Sequence, residues 1–351
     1  MGAGAATRIL VLGLATLALS VPGAGQEYPS ASWESSPVAI DWNGDDVMDL
    51  LVGDDDGFIS LFLGIADDPL GFNFAGLLRV EGSGEPLRVP REAHPEATDW
   101  NGDGIIDLVV GDDVGFVTLF LGRSPGGMMV SPGMPVDLAN GIPLRVHAEA
   151  RPRCIDWNGD GAEDLIVGTN SDGLYIFLNT GSSANRLLSR GIRPRSSLGG
   201  ELRLSNPVIA PWVGDWNGDG LLDLIIGCSV VLPEPDSSSM YPCCEGSRGH
   251  VFYYQNVGSV NSPLFDEGVQ LEAASQPIDV GDSAAPYAFD WTGDGLLDLI
   301  VGSNSGAIWF FERAEAESLD MIAVPDQDGD GIPDPHDICP HQAGEMNQGG
   351  C

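Results

Sequence analysis

Aspartate recurs at fixed spacing along this chain. The segment DWNGDDVMDLLVG begins at Asp41 and returns as DWNGDGIIDLVVG from Asp99, DWNGDGAEDLIVG from Asp156, DWNGDGLLDLIIG from Asp215 and DWTGDGLLDLIVG from Asp290. Each copy has carboxylates at positions 1, 5 and 9, an amide or hydroxyl at 3, and usually Gly at 6. In a tight loop the odd positions turn toward one centre. With the main-chain carbonyl of position 7 they form a flexible, all-oxygen cage, which suits Ca²⁺ better than the smaller, stricter Mg²⁺. The expected ligand sets are Asp41, Asn43, Asp45, Val47 and Asp49; Asp99, Asn101, Asp103, Ile105 and Asp107; Asp156, Asn158, Asp160, Ala162 and Asp164; Asp215, Asn217, Asp219, Leu221 and Asp223; and Asp290, Thr292, Asp294, Leu296 and Asp298. A single NGDG is a plain turn sequence, but five copies with invariant Asp at 1, 5 and 9 are not explained by turn preference. Position 6 must turn sharply, so Asp46 in the first copy is a tolerated exception to Gly. Thr292 is a weaker ligand than Asn, so the fifth site is expected to bind least tightly. Three Asp per loop repel one another unless a divalent ion neutralises them, so the ions read as structural, not catalytic.

The elements that position these loops follow from the repeat. The copies start 58, 57, 59 and 75 residues apart, the last spacing lengthened by an insertion around residues 228–249. Pro stands four residues before each first Asp (Pro37, Pro95, Pro152, Pro211, Pro286), opening a short apolar strand. A second strand follows the loop, then a few turn residues and a third apolar and aromatic run, for example Phe116 to Leu121. A weaker fourth strand falls near Leu77 to Val80 or Leu202 to Leu204. Four strands per unit make a propeller blade, so the fold class is all-β, a five-bladed β-propeller. A ring of six or seven blades with degenerate units is the alternative, although residues 182–207 and 228–249 are too short for an added blade. An open ring would leave unpaired sheet edges. The last copy stops after Phe311 without an outer strand, so the N-terminal segment, with residues 26–36 otherwise unpaired, is expected to complete the last blade.

Residues 1–25 carry one positive charge at Arg8, an apolar run from Ile9 to Val21 and small residues before Gln26, the pattern of a secretory signal peptide. A membrane anchor is the alternative, but the run is shorter than the roughly 20 residues needed to span a bilayer. Six Cys suit an oxidising compartment. The mature chain is therefore expected to be secreted, extracellular or at the cell surface, with a periplasmic location also open, and to have no membrane span. Acidic residues number 52 against 15 basic ones, all Arg, for a net charge of −37. That balance excludes a basic face for nucleic acid or anionic lipid.

The DWNGDGxxDLxVG units resemble the FG-GAP or VCBS repeats of integrin α-subunit propellers and of many secreted bacterial proteins. The resemblance covers residues 26–313 and implies calcium bound in the loops beneath a propeller, while the family's activities range from adhesion to sugar binding to enzyme scaffolding. Beyond a linker at 314–325, residues 326–351 place acids at Asp326, Asp328, Asp330, Asp334 and Asp337, with the carbonyl of Ile332 between. This is the spacing of an EF-hand loop, with Asp at the last position and no flanking helix. With the Cys-Pro that follows, it resembles a single thrombospondin type 3 repeat, a calcium-filled, disulfide-stapled unit; a solvated acidic tail is the alternative. A Cys339–Cys351 disulfide fits a unit too small for a core. Cys228 is expected to pair with Cys243 or Cys244, and Cys154 to be a buried core thiol.

Trp at position 2 of every loop (Trp42, Trp100, Trp157, Trp216, Trp291) turns away from the ion and is expected to pack between blades, with a sugar-stacking surface as the other reading. His94, His147, His250, His336 and His341 are scattered and read as surface or satisfied His. Arg88 and Arg145 each stand 11 residues before a loop, which reads as a periodic structural role. No GxSxG, HExxH or phosphate loop stands out. Two functions remain: a monomeric binding or adhesion module for an extracellular glycan or protein, which the residues favour, and a calcium-stabilised propeller enzyme acting on polysaccharide. His, Arg and Glu gathered at one mouth of the ring would favour the second.

Overall fold

A computed structural model of the chain describes residues 10–17, 34–66, 68–170, 173–182, 185–204, 209–231, 247–273, 276–281 and 283–313. The expected C-terminal calcium loop and Cys243, Cys244, Cys339 and Cys351 lie outside the described residues. The fold is all-β, with five small sheets arranged as a ring of five blades.

Blade 1 runs outward from Ser35–Ile40 through Asp49–Asp54 and Ile59–Ile65 to Asp68–Leu77; blade 2 from His94–Thr98 through Asp107–Gly111 and Val117–Phe120 to Met134–Pro135. Blade 3 comprises Arg151–Ile155, Asp164–Thr169 and Gly173–Phe177, and its outer place is reduced to isolated bridges, Ile176 to Ile192 and Asn179 to Leu188. Blade 4 has Ala210–Gly214, Asp223–Val231, Ser247–Tyr254 and Val269–Gln270. Blade 5 has Ala285–Phe289, Asp298–Gly302 and Ile308–Arg313. The prolines sit in the innermost strands, where a missing ladder donor faces the axis and not a partner strand.

The outer strands depart from expectation. Arg79–Val80 lies outside blade 1 and pairs in parallel with Met129–Val130 of the next unit. Leu202–Leu204 forms no strand, and the Leu202 N–H donates to Pro194 O. Outer strands face solvent on one side, so neither the apolar alternation nor a repeat residue marks them. The outer place of blade 5 is filled from the N-terminus, but by Leu10–Leu17, antiparallel to Ile308–Arg313. That strand lies inside the stretch with the leader pattern, whereas Ser35 and Ser36 belong to the inner strand of blade 1.

Five apolar clusters fill the gaps between successive blades, each containing one loop tryptophan. Trp42 packs with Leu108, Val110 and Phe120 of blade 2, and Trp157 with Leu224 and Ile226 of blade 4. The fifth gap closes the ring, where Trp291 meets Leu50 and Phe62 of blade 1. The packing role of these residues therefore holds at all five positions. The glycine at the fifth position of each second strand, counting its Asp as the first, is dictated by the same contact. A Cβ on Gly53, Gly111, Gly168, Gly227 or Gly302 would lie 2.0, 1.8, 2.0, 2.2 or 2.1 Å from a main-chain oxygen of the following blade. At the closure that oxygen belongs to Ser35, whose N–H donates to Ser303 O at 2.9 Å.

Candidate functional site: the loop face and the axial mouth

Each innermost strand runs between the two faces of the ring, with an Asp loop at its end and a sharp turn at its start. The five loops share one geometry. In the second, Asp99 Oδ1 accepts from Gly102 N at 2.8 Å and Asp103 N at 3.0 Å, and Oδ2 accepts from Gly104 N at 2.8 Å. Asn101 Oδ1 accepts from Asp103 N and its Nδ2 donates to Asp103 Oδ2. Ile105 N donates to Asp103 Oδ1. Gly104, Gly161, Gly220 and Gly295 at position 6 are left-handed, and Asp46 takes the same conformation at φ 64°.

Positions 1, 3 and 5 therefore share the loop tip, and the position 9 carboxyl is buried beneath it, within reach of the charges at positions 1 and 5. Asp49, Asp107, Asp164 and Asp223 are 0% exposed and Asp298 is 1%. Each accepts from the end of its third strand, and most use the second oxygen as well: Asp164 Oδ2 accepts from Trp157 N at 3.1 Å and Oδ1 from Asn179 N at 2.6 Å, whereas Asp107 accepts from Gly122 N through Oδ1 and its Oδ2 has no partner. Asp49 does the same with Trp42 and Gly64, and Asp298 with Trp291 and Arg313. Burial pushes all five carboxyls up, to about 6 at Asp107 and Asp164, against the pull of these N–H donors. Position 9 thus ties each loop to the end of its own third strand, a role that the spacing did not reveal.

Between the first and fifth loops lies a recess of about 460 Å³, lined by Asp41, Asp46, Met48, Ile65, Phe289, Trp291 and Thr292 among others. Asp46 and Thr292, two departures from the repeat, face this one space.

The opposite face carries a second cluster that the sequence did not single out. Three residues before the inner-strand proline stand Glu34, Glu92, Glu149 and Ser283, all left-handed, with φ of 62, 50, 47 and 53°. Each glutamate N–H is held by the preceding blade: Glu92 N on Asp55 O at 3.0 Å, Glu149 N on Asp113 O at 3.1 Å and Glu34 N on Asn304 O at 2.8 Å. A non-Gly residue in this region is strained, and such strain gathers at functional sites. Arg151 crosses the axis to Glu34 at 2.6 Å and also meets Glu149 at 3.3 Å. Glu92 is pushed up to about 7 by burial first and then by Glu34 and Glu149. Deeper in the channel Arg153 pairs with Glu96 at 3.2 Å and stacks on Tyr287. Burial, followed by Arg151 and Arg153, holds His94 well below the usual imidazole range. His, Arg and Glu thus gather at one mouth of the ring.

Of the remaining sequence-stated residues, Arg88 and Arg145 stack on Phe58 and Phe116 at equivalent places in blades 1 and 2, in keeping with a periodic structural role. Cys154 is half-buried, less enclosed than a core thiol, because inner strands border the channel; burial raises its thiol well above the ordinary range. Among the described residues no helix is long and apolar enough to cross a membrane.

The model of the FG-GAP-like repeat matches residues 156–226, from the third Asp loop through the second strand of blade 4. Over that stretch the five-bladed propeller is similar to FG-GAP-like repeats. No curated protein matches it. Similar solved structures include an Agrocybe aegerita lectin that recognises non-reducing terminal N-acetylglucosamine, with 15% identity and a TM-score of 0.41, covering 78% of this chain and 75% of the lectin. A β-fructofuranosidase from Schwanniomyces occidentalis shares 11% identity with a TM-score of 0.44, covering 80% of this chain and 56% of that one. BBS1N in complex with ARL6DN shares 14% identity with a TM-score of 0.35, covering 82% and 94%.

Proposed function

We propose that the chain is an exported, calcium-stabilised propeller that acts as a binding module for an extracellular glycan, with the recess between blades 5 and 1 as its seat. The carrying observation is the composition of that recess. Phe289, Trp291, Met48 and Ile65 give it apolar surface while Asp41, Asp46 and Thr292 give it hydrogen-bonding groups. A sugar ring presents those two kinds of surface, and the volume falls within the range of roughly 300–1,000 Å³ usual for small-ligand sites. Calcium in the five loops would fix the two loops that wall the recess, making retention calcium-dependent. The C-terminal Asp326–Asp337 loop would hold a further ion in a thrombospondin type 3-like unit.

One observation favours the second reading, an enzyme acting on polysaccharide: Glu34, Glu92, Glu149, Arg151 and His94 converge at the axial mouth, and acid–base chemistry draws on such groups. Against it, Glu92 Oε2 and Asp113 Oδ1 are closed to solvent, which leaves no room for a polymer at those carboxylates.

Incubating the purified mature chain with a polysaccharide panel, in calcium and in chelator, tests both. Retention in calcium without new sugar ends is the expected result. New ends that vanish in chelator would replace the module with an enzyme, and absence of retention on every polysaccharide would turn the search to protein partners.

A further inference from the structure

The axial mouth lies across the ring from the Asp loops and uses none of their residues. There Glu34, Asp55 and Glu92 each offer a carboxylate oxygen within 4.8 Å of the other two. One ion at about 2.3–2.6 Å from each oxygen spans that separation. The protein cations nearby are already engaged: Arg151 Nη2 with Glu34 and Glu149, and Arg91 with Asp55 at 2.8 Å. Glu92 Oε2 is buried without a donor, as is Asp113 Oδ1. An ionised oxygen closed off from water is costly unless a charge or donor meets it.

A second observation points to an occupant. His94 is 1% exposed and neither of its ring nitrogens has a partner. Arg151, in the same position of the next inner strand, is 3% exposed, turned into the cluster, and leaves Nε and Nη1 without an acceptor. Buried polar groups in native proteins are nearly always paired, with protein or with ordered water. The unpartnered N–H groups of Arg151, the unpartnered oxygens of Glu92 and Asp113 and the unpartnered ring of His94 thus lie about one mouth, with Glu92 and His94 both within reach of Arg151. Arginine alone does not complete it, since its free N–H groups add donors where acceptors are also missing. A metal ion brings both missing partners: charge for the carboxylates, and hydration water whose oxygens accept from Arg151 and whose protons reach His94.

We propose that this mouth holds a divalent cation, of the oxygen-preferring Ca²⁺ or Mn²⁺ type, coordinated by Glu34, Asp55 and Glu92 and closed beneath by Arg151 and His94. The site is built from three separate parts of the ring: the turn entering blade 1, the hairpin of blade 1 and the turn entering blade 2. It would tie the chain's closure point to its first two blades.

The test counts ions on the full mature chain. Native mass spectrometry in calcium should find one ion fewer on Glu92→Gln than on the unaltered chain, with the difference absent for Glu85→Gln, an exposed glutamate away from the mouth. Equal counts for Glu92→Gln and the unaltered chain would overturn the site. Where Glu92→Gln fails to fold, crystals of the unaltered chain soaked in Mn²⁺ replace it. An anomalous peak within coordination distance of Glu34, Asp55 and Glu92 supports the proposal, and its absence at saturating Mn²⁺ refutes it.

Discussion

Asp160 and Asp164 belong to the same loop but do different work, and substitution separates them. Asp164 is buried and serves two main-chain N–H groups, from Trp157 and Asn179. Asp164→Ala leaves both donors unpaired at about 1–3 kcal/mol each, so the melting temperature should fall in calcium and in chelator alike. Asp160 is exposed and accepts from Ala162 N. Asp160→Asn keeps an oxygen for that bond but loses the charge, so it should leave the chelated protein unchanged and shrink the rise in melting temperature on adding calcium. Thermal unfolding of both variants, with and without calcium, measures this; a cost of Asp164→Ala confined to calcium would reduce position 9 to a simple ligand. In the channel, burial raises Glu96 from 4.5 to about 7 despite Arg153 beside it. A carboxyl whose folded value lies above its unfolded value contributes stability that is complete below 4.5 and lost as the pH rises through about 7. Glu96→Gln should flatten the stability profile across that window, as denaturant titrations at a series of pH values would show.

At the level of elements, the second strand of each blade is fixed by its close approach to the next blade. Gly111 has no room for a side chain, because its Cβ would stand 1.8 Å from Ala150 O. Gly111→Ala must push blades 2 and 3 apart and should cost about 3 kcal/mol or more, the upper part of the overpacking range. Gly161 is needed for a different reason: its φ is 88° and nothing lies within 4 Å of the added carbon. Gly161→Ala should therefore cost only the left-handed penalty of about 1–2 kcal/mol. Equal costs in a chemical denaturation series would show that the interblade contact is not the controlling constraint. Outer strands have no such fixed neighbour, which is why blade 3 closes on isolated bridges and blade 5 borrows Leu10–Leu17.

For the whole molecule, charge and ring closure act together. Of the 52 acidic residues behind the −37 net charge, 15 stand in threes in the five loops, and cations bound there would relieve part of it. A site filled at a hundredfold excess over its Kd adds about 2.7 kcal/mol. Chelation should therefore lower the melting temperature markedly, and added monovalent salt should return part of the loss by screening the exposed carboxylates. Insensitivity to both would mean that the loops stand without ions. Much of this was written in the chain. Five copies of one segment determined the strands, the number of blades and the placing of Trp42, Trp100, Trp157, Trp216 and Trp291 between them, because a repeated pattern of apolar and turn residues can be buried only by stacking identical units. The position-6 turn and the Asp46 exception were legible for the same local reason, backbone conformation at one residue. What only the tertiary structure decided lies where distant segments meet. Asp164 became a buried acceptor because Asn179, 15 residues on, returns beneath it. Glu34, Asp55, Glu92, Glu149 and Arg151 form one mouth because closing the ring brings the starts of separate inner strands to a common axis, and no spacing along the chain encodes that convergence.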